Sequence, residues 1–262
     1  MPLAEPTPAA LTNPLLKYFL ATRPPFLSVS MLAALIGIAG APYGGVDISV
    51  PSAALTVLFA MVAHAGVNVL NDYYDELNGT DRINSERVFP FTGGSRFIQN
   101  GVLTLRETGV LGAVLMGLTV AGGLWLTLRS GSGLLLIGAT GMLIGWAYSA
   151  PPLKLNSRGW GEACVVAGFA VIAIGSDYVQ RGAFSTVVLT AVIPYALLAT
   201  GRLPLLSLAA LLPAALSFRA GTALLKHAAV PQRLEPAIRM TIAAALAHGL
   251  LLSAAMLASA LP

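Results

Sequence analysis

The sequence predicts an all-α fold, a polytopic bundle of about eight transmembrane helices. Of the 262 residues, 56% are hydrophobic and only 10% are charged, and the mean hydropathy is +0.78. A soluble domain of this size needs far more polar surface. Several apolar runs reach the roughly 20 residues that span a bilayer, whereas the alternating segments of about ten residues that build a transmembrane barrel are not found.

Eight apolar segments account for most of the chain. In order, they are residues 25–43, 51–70, 108–128, 132–148, 160–179, 185–200, 203–218 and 240–260. Residues 1–14 are rich in Pro and Ala and are expected to form a loose tail, and residues 15–262 a single transmembrane domain. Because the first ten residues carry no cation, the first segment is expected to be a retained span and not a signal peptide. Gly141 and Gly145, in GxxxG spacing, suit close helix packing in lipid.

The charged residues lie mainly in two connections on one side of the predicted bundle, residues 71–107 and 149–159. Lys17 and Arg23 lie on the same side. The positive-inside tendency predicts that this side is cytoplasmic, in a bacterial-type inner (plasma) membrane. The net charge of +4 therefore indicates orientation in a lipid bilayer, and no nucleic-acid binding is expected. The single cysteine, Cys164, excludes an intramolecular disulfide and a cysteine-based zinc site.

An acidic stretch, NDYYDELNGTD at residues 71–81, follows the uncharged segment 51–70. If residues 64–76 are helical, polar side chains spaced three or four residues apart share one helix face. The members of this stripe are His64, Asn68, Asp72, Asp75 and Glu76. Gly79 is predicted to end the helix, with Asp81 just beyond it.

Carboxylates in this arrangement repel one another, and they lie near the negative end of a helix dipole. A hard cation offsets this repulsion, since Mg²⁺ takes oxygen ligands and typically uses one or two carboxylates together with substrate phosphates. The alternative is that the acids are solvated charges at the end of a span, although acids in membrane segments usually have a function. The stretch lacks the alternating ligands of an EF-hand loop.

Two further stretches on this side have features of phosphate binding. TGGSRFIQNG, residues 92–101, combines glycines with Arg96, and a glycine-rich backbone can point amides at phosphate oxygens that an arginine binds bidentately. The stretch YSAPPLKLNSRGWGE contributes Tyr148, Lys154 and Arg158. A basic loop on the cytoplasmic face is the alternative interpretation of the second stretch. Together with the acids and the apolar helices, these features predict a ligand with a diphosphate head and a lipid tail.

The chain resembles the UbiA-type intramembrane aromatic prenyltransferases, and within them the branch that prenylates 1,4-dihydroxy-2-naphthoate in menaquinone synthesis. NDYYDELNGTD is similar to the first Asp-rich motif of that family. GGSRFIQNG, YSAPPLKLNSRGWGE and DYVQRG (177–182) resemble stretches of the naphthoate branch, and TRPPFLSVS (22–30) resembles the first-helix motif. The hydroxybenzoate branch carries an Arg-Thr…Arg-Pro pattern where this chain has INSERVFPF, so that branch is not expected. The resemblance covers residues 14–200 well.

The resemblance implies Mg²⁺-dependent transfer of a prenyl group from a polyprenyl diphosphate to an aromatic acceptor. The implied metal ligands are Asp72, Asp75 and Asp81. The residues implied to contact substrate are Arg23, Asn68, Asn71, Arg96, Tyr148, Lys154 and Arg158. Among all of these, the residues implied to act in catalysis are Asp72, Asp75, Arg96 and Lys154.

In the mechanism that the resemblance implies, these charges stabilise the leaving diphosphate. The apolar cavity shields the prenyl cation from water, the acceptor ring attacks it, and loss of CO₂ leads to demethylmenaquinone. For His64 and Asn68, lining the pocket and bridging transmembrane helices are equal alternatives.

The chain departs from the family at the second Asp-rich motif, which follows the sixth of nine family helices. Beyond Asp177 the only acid is Glu235, so this motif and one helix are expected to be missing between Gly201 and Leu203. The cations of residues 219–239 predict a cytoplasmic loop, which strict alternation of the eight segments places outside, and this agrees with one lost crossing. Asp177 lies at the far end of its helix and is expected to have a structural or hydrogen-bonding role.

Three functions of different classes remain open at this point. The first is the prenyltransferase. The second is a non-catalytic protein on the same scaffold that binds a prenyl diphosphate or a quinone, which the missing motif favours. The third is a transporter that uses the acidic stripe as an ion pathway, although the sequence shows neither paired broken helices nor an internal repeat. Asp72→Asn separates the first two, because it abolishes turnover in an enzyme and only weakens binding in a carrier.

Overall fold

The computed structural model describes residues 4–185, 204–227 and 230–260, and all regular structure in these ranges is helical. The α-helices are α1 (Pro14–Ala21), α2 (Pro24–Tyr43), α3 (Val50–Asn78), α4 (Thr80–Ile83), α5 (Leu105–Ser130), α6 (Gly133–Ser149), α7 (Gly161–Arg181), α8 (Ala214–His227) and α9 (Glu235–Ala260). Six helical stretches are long and apolar enough to cross a membrane, namely α2, α3, α5, α7, α9 and Leu205–His227. The predicted all-α transmembrane fold is confirmed.

Local sequence signals set the ends of several helices. Thr104 caps α5 in a capping box: its hydroxyl accepts the backbone N–H of Glu107, whose carboxylate accepts the N–H of Thr104. Asn13 caps α1 by accepting the N–H of Leu15. Gly79 ends α3 as predicted, with a φ of 77° that suits a residue without a Cβ.

The observed helices follow the predicted segments in the first part of the chain. α3 extends past the predicted span 51–70 and includes the stretch 64–76, which was predicted to be helical. The polar side chains of that stretch therefore lie on a continuous helix. The segment predicted at 185–200 lies almost entirely outside the described residues.

The predicted loop at residues 219–239 is wrong in its extent. α8 runs to His227 and α9 begins at Glu235. Most of the cations there are thus helical, because the surrounding Ala and Leu residues are good helix formers. The guanidinium of Arg239 lies 5.6 Å from the ring centre of Phe91, which places this connection on the same side as the acidic stretch, in agreement with the charge bias.

The segment predicted to be a loose tail contacts the loop between α4 and α5. Its described part contains no helix before Pro14. Even so, Glu5 accepts hydrogen bonds from Arg87 at 2.7 Å and from Asn100 at 3.1 Å. This attachment differs from the expectation of a loose tail, and its physical cause is the arginine charge on the loop.

α2 lies inside the bundle, where it packs against α3, α7 and α9. On the other side of α3 lies α5, and α8 packs on α9. Small residues let α2 and α7 approach closely. A Cβ added at Gly37 would overlap the backbone carbonyl of Ala173 and lie 2.8 Å from the Cβ of Ser176.

The two ends of the bundle carry different polar clusters. At one end, Arg181 pairs with Asp177 at 2.9 Å and donates to the carbonyl oxygens of Gly40 and Ala41 at the end of α2. At the other end, where α2 begins, lie Arg23 and the acidic stretch. Asp177 therefore has the structural, hydrogen-bonding role that was expected of it.

Gly37→Ala is expected to destabilise the bundle by about 1–3 kcal/mol, because the new methyl group meets backbone that cannot move aside. Gly117→Ala in α5 is the matched control, since a Cβ at Gly117 meets no atom within 4 Å. Thermal unfolding of both variants in detergent, followed by fluorescence-detected size-exclusion chromatography, measures the difference. Equal midpoints for the two variants would contradict the close contact between α2 and α7.

Candidate active site

A cavity of about 560 Å³ lies between α2, α3, α5, α6 and α7. Its wall is mostly apolar and includes Phe59, Met116, Leu134 and Phe169. Polar side chains enter it from α3 and its neighbours, and they include Arg23, Ser30, His64, Asn68, Asn71 and Tyr148. An apolar chamber with a few polar groups along one edge suits a largely apolar ligand with a polar head.

His64 and Asn68 combine the two roles that were left open for them. The Nδ1 of His64 lies 2.8 Å from the hydroxyl of Ser30 on α2, and the amide of Asn68 donates to the carbonyl oxygen of Thr22 at 3.1 Å. The ring of His64 also meets Phe169 of α7 edge-on. Both residues bridge helices and line the cavity at the same time.

The end of α3 and the loop after it bury four carboxylates. The exposed fractions are 4% for Asp72, 8% for Asp75, 9% for Glu76 and 4% for Asp81. The backbone N–H of Ser95 donates to Asp72 at 3.1 Å. Because the interior has a low dielectric constant, these charges act on one another strongly.

Asp75 and Glu76 are held by side chains from other parts of the chain. The amide of Asn71 donates to one oxygen of Asp75 at 2.7 Å, and the amide of Asn156 donates to the other at 3.3 Å. Glu76 forms an ion pair with Arg82 at 2.5 Å. These contacts fix Asp75 and Glu76 in place.

Asp81 differs from the other three acids in its hydrogen bonding. Its Oδ2 is buried and has no hydrogen-bond partner. Arg96 donates to the backbone carbonyl oxygen of Asp81 at 2.6 Å and so holds the main chain. Burial raises the pKa of Asp81 above its usual value, and the charges of Arg96 and Arg23 oppose that effect. A buried carboxylate oxygen without a partner is costly, and a cation can stabilise it.

Gly94 brings Asp72 and Asp81 together. Its φ is 71°, and a Cβ at this position would overlap Oδ2 of Asp81 and lie 2.8 Å from Oδ1 of Asp72. The two oxygens therefore converge beside the backbone of Gly94. The charge of Asp81 also acts unfavourably on both Asp72 and Asp75.

Arg23 supplies positive charge to all three aspartates. It precedes Pro24 with a φ of 60°, a conformation that side chains with a Cβ seldom adopt. Its guanidinium donates to the carbonyl oxygen of Pro90 at 3.4 Å and lies 4.7 Å from the ring centre of Phe26. Arg23 also lines the cavity, so its charge serves the acids and the cavity alike.

The structure places the predicted site residues in two groups. Arg23, Asn68, Asn71 and Tyr148 line the cavity, whereas the aspartates form the buried cluster at its end. The remaining predicted residues are Arg96, Lys154 and Arg158.

The cavity that the described residues form is not lined by Arg96, Lys154 or Arg158. Arg96 is 7% exposed and supports Asp81. Lys154 has a φ of 44°, and Arg158 donates to the carbonyl oxygen of Pro152 at 2.9 Å. Contact of these three residues with a diphosphate stays a prediction.

Sequence reasoning missed three residues that hold the cluster, namely Gly94, Ser95 and Asn156. A signal existed for Gly94 and Ser95, because the glycine-rich stretch that contains them predicted amides pointing at an anion. The anion is a carboxylate of this chain. No local signal marked Asn156, which is 81 positions away from Asp75 along the chain.

The donor set fits a divalent cation with two of the three predicted aspartates as ligands. Within the described ranges, no group of three or more His, Cys, Asp or Glu side chains is placed to hold a metal ion. The predicted triad is therefore not assembled as one site, since two amides bind Asp75. Asp72 and Asp81 fit, because their oxygens converge and one of them has no partner. Mg²⁺ often uses only one or two carboxylates beside substrate phosphates.

Gly94→Ala is expected to lower stability by about 1–3 kcal/mol more than Gly101→Ala. Both glycines have a φ near 70°, but a Cβ at Gly101 meets no atom within 4 Å. The two variants share the backbone strain, so the difference between them measures the crowding of the two carboxylates. Chemical unfolding in detergent gives this difference, and equal values would show that Asp72 and Asp81 do not converge at Gly94.

Residues 30–261 match the profile of the UbiA prenyltransferase family. The chain is 34% identical over 131 residues to the 1,4-dihydroxy-2-naphthoate octaprenyltransferase of Mycobacterium leprae, covering 49% of this chain and 42% of that protein. It is 29% identical over 198 residues to the 2-carboxy-1,4-naphthoquinone phytyltransferase of a Synechocystis species, covering 72% and 58%.

A chloroplastic 2-carboxy-1,4-naphthoquinone phytyltransferase of Arabidopsis thaliana is 27% identical over 169 residues, covering 63% of this chain and 41% of that protein. The chain spans about half the length of the curated relatives it matches. No solved structure matches the chain significantly. Because the family profile covers most of its length, the chain belongs to the UbiA prenyltransferase family.

Proposed function

We propose that this protein transfers a prenyl group from a polyprenyl diphosphate to an aromatic acceptor with the help of Mg²⁺. The observation that carries the proposal is the buried pair Asp72 and Asp81 at the polar end of an apolar cavity. A diphosphate head with an apolar tail matches both parts. The head would bind the guanidinium of Arg23 and a cation held by the carboxylates, and the tail would pack against the apolar wall.

Asp72 and Asp81 are the residues that would hold the ion. When bound, Mg²⁺ supplies positive charge that neutralises the diphosphate and stabilises it as a leaving group. Asn71 and Asn156 keep Asp75 in place beside this pair.

Further cations lie on the loops that reach the cluster. Among the described residues, Arg23 is the cation that lines the cavity. Lys154 and Arg158 flank Asn156 in sequence, and Asn156 contacts Asp75. This loop can therefore add charge at the diphosphate end, with Arg96 supporting Asp81 from the opposite side.

The chemistry begins when the allylic C–O bond breaks and its electron pair stays on the diphosphate oxygen. Arg23 stabilises the growing negative charge, because it is already positioned before the reaction. The apolar wall with Phe59 and Phe169 excludes water, so that the acceptor ring attacks the allylic carbon and water does not.

We propose 1,4-dihydroxy-2-naphthoate as the acceptor and menaquinone biosynthesis as the pathway. The support is the naphthalene-based acceptors in the names of the relatives. The pair Ser30 and His64 and the amide of Asn68 offer hydrogen bonds for ring hydroxyl groups inside the cavity. As the ring carbon bonds to the prenyl group, the carboxylate leaves as CO₂ and its bonding electrons return to the ring.

The chain is an integral membrane protein, and we propose the bacterial inner membrane as its location. The charge bias of the connections supports an acidic loop on the cytoplasmic side. The polyprenyl diphosphate can reach this site from there, with its diphosphate at the membrane surface and its tail within the lipid.

A second candidate function is binding of a prenyl diphosphate or a quinone without turnover. The observation that favours it is that both acids beyond Gly175 already form ion pairs with arginines. Asp177 is bound to Arg181 at the far end of the bundle, and Glu235 is paired with Arg239 at 2.8 Å. Neither acid completes a second metal-binding motif opposite Asp72.

A turnover assay tests the proposal. The protein in membranes is incubated with 1,4-dihydroxy-2-naphthoate, a long polyprenyl diphosphate and Mg²⁺, and the prenylated product is quantified by mass spectrometry. Asp72→Asn is expected to reduce turnover about 100-fold or more, because it removes a charge that holds the cation near the leaving group. Excess EDTA is expected to abolish turnover in the unchanged protein.

Asp47→Asn is the control for the loss of one carboxylate, since Asp47 is exposed and far from the cluster in sequence. Turnover by Asp47→Asn but not by Asp72→Asn supports the enzyme. Diphosphate binding without product, from protein shown to be folded, supports the carrier. Equal turnover by the two variants would remove the acidic cluster from the mechanism.

A further inference from the structure

The carboxylate of Glu5 lies among three donor side chains of the loop between α4 and α5. Arg87 donates from Nε to Oε1 of Glu5 at 2.7 Å, and its Nη2 lies 2.7 Å from the same oxygen. Asn100 donates to Oε2 at 3.1 Å, and Nε of Arg96 lies 4.0 Å from Oε2. The three residues Arg87, Arg96 and Asn100 are referred to below as the Arg87 site.

Glu5 does not satisfy all the donors of the Arg87 site. Arg96 is 7% exposed, and its Nε is buried without a hydrogen-bond partner. The Nη1 of Arg96 is already bound to the backbone of Asp81. A planar carboxylate presents two oxygens, and both are turned to Arg87 and Asn100. A phosphate group presents three oxygens in a tetrahedral arrangement, so it can reach both guanidinium groups and the amide together.

The segment that carries Glu5 is held by polar contacts, which include a hydrogen bond from Asn100 to the backbone carbonyl oxygen of Pro6 at 3.0 Å. The side chains of Glu5 and Arg87 are 28% and 25% exposed, so solvent screens their ion pair and reduces its contribution to stability. The neighbouring residues Ala4, Thr7, Pro8 and Ala9 are exposed. The guanidinium of Arg87 holds the pKa of Glu5 below its usual value, so Glu5 is an anion at neutral pH. Another anion can therefore compete with Glu5, at a concentration that offsets the advantage of an anion carried by the same chain.

We propose that the Arg87 site is an anion-binding site at which a phosphate group exchanges with Glu5 of the same chain. The ligand is a phosphate, either free in solution or in the headgroup of an anionic phospholipid. The site borders the pair Asp72 and Asp81, because Arg96 donates to the backbone of Asp81 and the charge of Arg87 also acts on Asp81. It differs from that pair in its donors, since Arg87 and Asn100 are turned to Glu5. Arg96 connects the two sites through the backbone of Asp81, so release of Glu5 also changes the support of Asp81.

The experiment uses the full chain with Cys164→Ala and Ala4→Cys, labelled with an environment-sensitive fluorophore at position 4. In one arm the protein is held in a non-ionic detergent with EDTA and titrated with inorganic phosphate. In the second arm it is held in nanodiscs of phosphatidylcholine, with or without phosphatidic acid. A saturable change of fluorescence reports release of the segment. Neither arm needs a metal ion or turnover, so failure here is distinguishable from failure of the proposed prenyl transfer.

Phosphate affinity itself is measured by ³¹P NMR titration of unlabelled protein. Glu5→Gln is expected to bind phosphate about three- to tenfold more tightly, because the competing anion is removed. Glu86→Gln is the matched control, since Glu86 is an exposed acid on the same loop, and it should bind as the unchanged protein does. Arg87→Gln is expected to lose saturable binding.

The two arms also identify the source of the phosphate. A response to phosphatidic acid alone assigns the site to a lipid headgroup, and a response to inorganic phosphate assigns it to a free anion. No response in either arm would overturn the proposal and leave Glu5 as a structural tether. Equal affinities for Glu5→Gln and Glu86→Gln would overturn it as well.

Discussion

Burial of like charges at the end of α3 is the constraint around which the connecting loops are arranged. Asp72, Asp75 and Glu76 lie within two turns of one helix, at the end where the helix dipole is negative, and each is at most 9% exposed. Removing such charges from water costs far more than their packing returns. The start of α2 and both long loops must therefore deliver cations and N–H donors to this one place.

The donors that reach α3 come from distant parts of the chain. Arg23 comes from the start of α2, the N–H of Ser95 from the loop before α5, and the amide of Asn156 from the loop before α7. Their convergence fixes the loops against the helix end. Phe97, Val102 and Leu103 of the loop before α5 add to this attachment, because they are buried together with Ala21. The same convergence leaves one oxygen of Asp81 without a partner. The cluster is thus stable enough to form and still favours the arrival of a cation.

The sequence was sufficient for those features that depend on spacing within one element. The period of an α-helix placed Asn68, Asp72 and Glu76 on one face, and the glycine at position 79 marked the end of that helix. The sequence was insufficient where the tertiary fold determines which residues contact one another. Arg96 donates to the backbone carbonyl oxygen of Asp81, a contact that the glycine-rich stretch around Arg96 did not indicate. Residues 219–239 were predicted to be a loop because they carry several cations and lie between two apolar segments. Charged residues on the flank of a helix nevertheless remain helical when Ala and Leu surround them.

The charge balance of the cluster bears on how many cations it accepts. Four buried acids, Asp72, Asp75, Glu76 and Asp81, face the guanidinium groups of Arg23, Arg82 and Arg96, while the charge of Arg87 is cancelled by Glu5. The cluster is therefore short of one positive charge. One divalent cation reverses the balance to a small positive excess, which attracts a diphosphate. The other acids of the cluster are already bound. Asp75 accepts two amides and Glu76 pairs with Arg82, and Asp177 and Glu235 are paired with arginines elsewhere. A chain with a single acidic motif is thus electrostatically consistent with a single divalent ion, which Asp72 and Asp81 would hold and to which the diphosphate of the proposed substrate would add oxygen ligands.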